Sequence, residues 1–231
     1  MTSWTPCRPG AARTVAERVA SGASGVGRFS VLRYTPRPSA AQRMGRASAE
    51  AGAQGAGWVP GVQVLRRIAA QPSAEAAADA LLATRPRDER DRLLWVGAAA
   101  LAGGDVRARP GEAVGLGSLC ETPGGERRHL PLLDFSCPVG PEHEAFVRVG
   151  VERLGQSRGL LVESGNSYHY YGLDPVPEAE WRAFMTEALL LAPYVDARYV
   201  AHRLLGGVGV LRLGAGPGKP TPPRPIAVLG E

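Results

Sequence analysis

The sequence predicts an α+β fold, a mostly antiparallel sheet with helices packed against one face. Three observations carry this expectation. The apolar runs AVGLGSLC (113–120) and RRHLPLLDFS (127–136) flank the turn TPGGE (122–126) and read as paired strands. GLLVE (159–163) and SYHYY (167–171) flank Ser164-Gly165-Asn166, where Gly and Asn tolerate positive φ, and read as a second hairpin. Helical spacing appears between and after these hairpins, not in regular alternation with single strands.

In chain order, residues 1–60 are dominated by Ala, Gly, Ser and Arg and read as a basic, flexible extension. Only GRFSVLRYTP (27–36) alternates there as a strand does. Residues 61–107 read as a helical segment. Ser73 caps AEAAADALLA, and a second helix is expected over 87–102, burying Leu93, Leu94 and Val96. The α+β domain is placed at 108–220. After its first two strands, PEHEAFVRVGVERLG (141–155) starts with Pro, carries Glu in its first turn and aligns Val147, Val151 and Leu154. The helix PEAEWRAFMTEALLLA (177–192) buries Trp181, Phe184, Met185 and Leu189 and stops at Pro193. A short helix at about 196–205 and the strand VGVLRLG (208–214) complete the domain, and residues 221–231 form a proline-rich tail. No internal repeat is visible.

Composition sets limits on function. The chain has 231 residues, is 44% hydrophobic, and has no apolar run near the ~20 residues of a membrane span. LLWVGAAALAGG (93–104) is too short, and the opening residues lack a secretory apolar region, so a soluble, cytoplasmic protein is expected. Cys7, Cys120 and Cys137 are odd in number and form no CxxC pair, which argues against a disulfide framework or zinc site. The formal charge of +5 and pI of about 9.5 point towards phosphate, yet all but one of the 27 basic residues are arginine, as GC-rich coding alone produces. Ten Arg against Glu17 and Glu50 give residues 1–70 a charge of +8, leaving −3 for the rest. That third is either a nucleic-acid-binding arm or a solvated extension.

Four features of the C-terminal half bear chemistry. Asp134, in PLLDFSCP, ends an apolar strand, where a carboxylate can bind a hard divalent cation or simply begin a turn. On strand 167–171, Tyr168 and Tyr170 share one face and Ser167, His169 and Tyr171 the other. With the first pair in the core, His169 looks out over the sheet, free to meet a phosphate or move a proton; a hydrogen-bonded structural histidine is the alternative. Backbone N–H groups of the Ser164-Gly165-Asn166 turn can add to an anion site. Asp196, in APYVDARYVAHRLLGG, suits a helix N-cap, on a helix that also carries Arg198, His202 and Arg203. Lys219, in LRLGAGPGKP, is the single lysine and sits in a glycine-rich loop; Pro220 rules out a P-loop, which needs Ser or Thr there.

The order of these features resembles the archaeo-eukaryotic primase-polymerase superfamily, and within it the primase 1D-like group, over about residues 112–220. LDFS resembles its acidic first motif. SGNSYHYYG resembles its second, in which a histidine after an SG turn contacts the incoming nucleotide's phosphates. VDARYVAHRLLGGVGVLRLGAGPGK resembles the region of its third, an aspartate followed by an arginine-rich stretch and a lysine loop. The resemblance implies an RRM-like sheet and nucleotidyl transfer with Mg²⁺ or Mn²⁺ held by Asp134 and Asp196. It further implies nucleoside triphosphate contacts at Ser164, Gly165 and His169, with Arg198, Arg212 and Lys219 as further phosphate contacts, and DNA or RNA as partner. One departure matters. Where the family places a second acid, this chain has Ser136, so a second metal would require recruitment of Glu163. A weakened nucleotidyltransferase, a non-catalytic nucleotide or nucleic-acid-binding module, and an adaptor without ligand are the readings to separate.

Overall fold

The computed structural model of the chain describes residues 3–7, 14–35, 69–82 and 89–230. Ten strands and six helices are present among them, and every strand pairing is antiparallel. The α+β expectation holds, with the strands divided between two five-stranded sheets.

One sheet runs β1 (Trp4–Pro6), β10 (Arg224–Leu229), β7 (Gly159–Glu163), β8 (Tyr168–Gly172), β6 (Leu132–Asp134). The other runs β3 (Leu94–Gly97), β2 (Arg28–Tyr34), β4 (Ala113–Glu121), β5 (Arg127–His129), with β9 (Val210–Arg212) sharing the far edge of β4 with β5. The expected second strand, 127–136, is thus two. At Leu130-Pro131 the chain leaves one sheet for the other: Leu130 N–H donates to Ser118 O, while Pro131 O accepts from Gly172 N–H. Proline has no N–H for a ladder, so the break falls where pairing could not continue.

Residues before 60 contribute more than an extension. β1 edges one sheet, α1 (Val15–Gly22) buries Val15 and Val19, and β2 lies at the centre of the other sheet. Thr14 and Glu17 close a capping box at the start of α1. Residues 38–57 lie outside the described residues. The expected helix over 87–102 is replaced by a 3₁₀ turn at Arg90–Arg92, then β3, then α3 (Ala98–Gly103); pairing of Leu94–Gly97 with β2 overrides its helical spacing. α2 (Ala74–Leu82) carries the expected Ser73 cap, whose Oγ accepts from Ala76 N–H at 3.1 Å. The tail reaches the sheet as β10, which enters it through Arg224-Pro225 and bulges before Ala227.

α4 (Pro141–Arg153) packs on the Tyr168/Tyr170 face of β8. Tyr168 Oη accepts from Gly140 N–H at 2.9 Å and donates to Gly140 O at 3.1 Å. Tyr170 lies over Gly159, where a Cβ would stand 2.3 Å from the ring, so only glycine fits. The opposite face of β8 turns towards the second sheet, since Tyr171 Oη donates to Arg212 O on β9 at 2.6 Å. One hydrophobic cluster joins both sheets, with Phe29, Leu116, Leu133, Tyr171 and Trp181 at full or nearly full burial. α5 (Glu178–Ala188), a 3₁₀ turn at Leu189–Leu191 and α6 (Ala197–Gly206) follow, and no helix among the described residues is long and apolar enough to cross a membrane.

Candidate functional site

The two antiparallel sheets meet through β8 and β9, and a cleft lies beside that contact. It encloses about 240 Å³, and Leu32, Tyr34, Glu89, Asp134, His169, Tyr199, Arg203, Arg212 and Lys219 are among its lining residues. Four of the eight residues singled out from the sequence therefore share it: Asp134, His169, Arg212 and Lys219.

Asp134 is the last residue of β6, and the chain beyond it pairs with the segment before α6. Phe135 and Val195 form an antiparallel bridge, and Asp196 N–H donates to Asp134 O at 2.9 Å. This brings the two aspartates together from positions 62 residues apart in sequence. Asp196 Oδ1 accepts from Arg198 N–H at 2.9 Å and Tyr199 N–H at 3.0 Å, an N-cap that fixes the carboxylate. The cap and the acidic pair are one arrangement, because a capping Oδ1 leaves Oδ2 for other partners.

Burial, reinforced by the charge of Asp196, pushes the Asp134 carboxyl up to about 8, against the opposing pull of Lys219, Arg203 and Arg212. His169 is pulled down to about 3, first by burial and then by Arg212 and Lys219. At neutral pH this histidine is uncharged, and its proton can be located. Tyr171 Oη has one hydrogen, used on Arg212 O, so the 3.3 Å contact with His169 Nδ1 requires the imidazole to donate. Nε2 is then bare and faces Asp134 Oδ1 at 3.4 Å, where a protonated carboxyl can donate to it. The four groups form one polar relay from Asp134 through His169 and Tyr171 to the Arg212 carbonyl. His169 is 7% exposed, so the face expected to look out over the sheet is covered by β9 and opens only at the cleft.

Arg212 is a buried clamp. Its Nη1 donates to Gly214 O at 2.6 Å and Thr221 O at 2.8 Å, and its Nη2 to Ser164 O at 2.8 Å. Ser164 and Gly165 form the β7–β8 turn, with Ser164 N–H donating to Ser167 O and Gly165 at φ 109°, and neither lines the cleft. Arg198 is half-buried in the first turn of α6 and also stands outside the cleft lining. Lys219 reaches the cleft through a tight turn in which Gly216 and Lys219 exchange hydrogen bonds of 3.0 and 2.9 Å. Pro217 and Gly218, the latter at φ 71°, suit the two central positions of a type II turn.

Sequence reasoning passed over Tyr34, Glu89 and Tyr199, and named Arg203 only as a charged residue of the helix that Asp196 caps. Tyr199 and Arg203 stand one helical turn apart, a spacing that places both on one face of α6. Glu89 and Tyr34 carry no local signal, since only the tertiary fold brings them here. Glu163 forms a 2.5 Å ion pair with Arg224 across the β7–β10 pairing, which removes it as a third acid. Ser136 donates its hydroxyl to Pro193 O, and its N–H to Tyr194 O at 2.7 Å. No group of three His, Cys, Asp or Glu side chains suited to a metal ion occurs among the described residues.

No curated protein and no solved structure matches the chain. The sequence model of the archaeo-eukaryotic primase 1D-like family matches residues 105–222, which span β4 to Pro222 and include Asp134, His169, Asp196, Arg212 and Lys219. With half of its length matched, this chain belongs to the archaeo-eukaryotic primase 1D-like family.

Proposed function

We propose that the cleft binds a nucleoside triphosphate with one divalent cation, Mg²⁺ or Mn²⁺, and that the chain serves as a metal-dependent nucleotide-binding module on a primase fold. The observation that carries this reading is the Phe135–Val195 bridge, which brings Asp196, itself outside the cleft lining, next to Asp134, which lines the cleft with His169 and Lys219. Burial first, and the charge of Asp196 second, raise the Asp134 carboxyl, and a bound cation would offset both.

The donor set fits one ion. Asp134 and Asp196 Oδ2 would supply two hard oxygens, leaving positions for water and phosphate. Two ions about 4 Å apart require further bridging charge, and Ser136 and Glu163 are engaged elsewhere. When bound, the cation would neutralise phosphate charge and orient the phosphoryl oxygens. The protein side groups act around it. With a cation beside it, Asp134 would lose its proton to solvent, and the neutral imidazole of His169, pulled down to about 3, would keep Nε2 beside the carboxylate. Lys219, on the same cleft, adds a point charge, while Arg212 holds the turn and the lysine loop in register through their carbonyls.

The pairing of Asp134 with Asp196 also favours a second reading, nucleotidyl transfer onto a DNA or RNA end, slowed by the loss of the second acid. Titration calorimetry of a nucleoside triphosphate, with and without Mn²⁺, on wild type and Asp134→Asn tests the first reading. Binding that requires Mn²⁺ and disappears in the variant supports it; binding indifferent to both overturns the cation site. Primer extension with Mn²⁺ on the same two proteins separates the readings, since only transfer lengthens a primer.

A further inference from the structure

We propose that Arg203 is the cleft's phosphate-exchange residue: its guanidinium, paired with Glu89, gives up that carboxylate for a phosphate of a bound polyphosphate chain. The inference rests on the nucleotide reading and adds a gate to it, one that selects for ligands carrying enough charge to displace a carboxylate.

Both side chains line the cleft beside Asp134, His169 and Lys219. They form an ion pair through Arg203 Nη1 and Glu89 Oε2, at 19% and 23% exposure. The pair is one-pronged: Arg203 Nε is buried with no hydrogen-bond partner. A guanidinium presents a planar fork of donors suited to two oxygens of one anion, so a single carboxylate oxygen leaves binding capacity unused. The guanidinium also lies over the ring of Tyr199, another cleft-lining side chain, 5.2 Å from its centroid. Among the cleft's cations Arg212 is committed to three carbonyls, and Lys219 is a single point charge. Arg203 is the fork whose partner can leave.

The backbone at Glu89 is held independently of that pair. The next residue, Arg90, donates from Nε and Nη2 to Gly207 O at 3.2 and 2.9 Å, where α6 ends, and pairs with Glu178 at 3.4 Å. Arg92 Nη2 reaches Arg33 O at 3.3 Å. These anchors just after Glu89 keep its carboxylate within reach of Arg203, and a rotamer change of Glu89 alone releases it. Glu89 lies before the residues that carry the family match and Arg203 within them, so the N-terminal part of this chain supplies the gate's carboxylate.

The test uses inorganic tripolyphosphate, which has no base or sugar, titrated without metal into the full chain. Glu89→Gln should bind it about tenfold more tightly than wild type, since the competing charge is gone while the hydrogen bond remains. Arg203→Gln should bind about tenfold less tightly, and Glu89→Gln should add nothing in that background. Wild type supplies a readout free of folding effects: carbodiimide labelling of Glu89, followed by peptide mass mapping, should rise as tripolyphosphate saturates. Equal affinity in wild type and Glu89→Gln, a gain that persists without Arg203, unchanged Glu89 labelling, or no binding by any variant overturns the exchange. The Mn²⁺-dependent titration on Asp134 involves neither residue, so the nucleotide reading stands or falls separately.

Discussion

Replacing Arg212 with methionine separates a phosphate ligand from a structural clamp. The sequence offered Arg212 as a phosphate contact; the structure gives its guanidinium three carbonyl partners at 2.6–2.8 Å and 8% exposure. Hydrogen bonds to a charged donor contribute about 1.5–3 kcal/mol each, and less where water can replace the lost donor. Gly214 and Thr221 lie in partly open loop and can recruit water, whereas Ser164 is 5% exposed and its carbonyl would be stranded. One full loss and two partial ones sum to about 4 kcal/mol. Burial already disfavours the charged guanidinium, and removing that cost offsets part of the loss, for a net loss of about 3 kcal/mol.

Urea unfolding followed by tryptophan fluorescence measures this directly. Arg212→Met should unfold at a clearly lower midpoint with an unchanged slope, and Arg212→Lys should fall between it and wild type, because an ammonium reaches fewer of the carbonyls. Nucleotide affinity should fall only as the 214–221 loop loosens. An Arg212→Met protein within about 0.5 kcal/mol of wild type that has lost nucleotide binding would refute the clamp and return Arg212 to the phosphate.

His169→Asn retains an N–H for Tyr171 but removes the atom facing Asp134. It should keep its melting temperature within about 4 °C of wild type while losing most Mn²⁺-dependent nucleotide affinity, and calorimetry on a folded variant with full affinity would contradict the proposed contact. His129 gives a pH signature away from the cleft. It stacks on Trp181 at 4.4 Å, with Nδ1 3.0 Å from Ser118 Oγ, and burial lowers it to about 4 against the opposing pull of Glu178. The unfolded chain takes up this proton below about 6.5, the folded chain only below about 4. Stability is therefore full above pH 6.5 and falls towards pH 4, by at most about 3 kcal/mol for this group. His129→Gln should flatten that part of the urea-midpoint profile relative to wild type; parallel profiles would show that His129 takes no part.

Local elements were legible wherever side chains obey one period. The β7–β8 hairpin, α4 and the Asp196 cap follow from turn residues, 3.6-residue spacing and capping chemistry, and each appears with nearly the expected limits. Burial of Tyr168 and Tyr170 on one face was legible from alternation, whereas burial of His169 and Tyr171 on the other was not. The division into two sheets was not, because nothing in RRHLPLLDFS states which neighbour each half will pair with; Pro131 marks the break only once both neighbours are known. Leu94–Gly97 shows the converse, an apolar stretch whose period fits a helix but whose partner is β2. The cleft was half legible. Residues on strand ends and loops announced themselves by type, while Glu89 and Tyr34 arrive through contacts across the fold.

Ser136 ties the family departure to the shape of the site. In the family's pattern this position carries the second acid of the first motif; here its hydroxyl donates to Pro193 O and its N–H to Tyr194 O. Those bonds dock residues 193–195 along the end of β6, and the docking sets Asp196 beside Asp134. An aspartate at 136 would replace the donor with an anion facing two carbonyl oxygens, with repulsion and an unsatisfied acceptor in place of a bond. The added charge would come at the expense of the contact that positions the other two. Recovery of a two-acid motif therefore requires more than one substitution, since Pro193 and Tyr194 would need to turn their carbonyls away as well. Serine at 136 and the placement of Asp196 beside Asp134 are consequences of the same local packing.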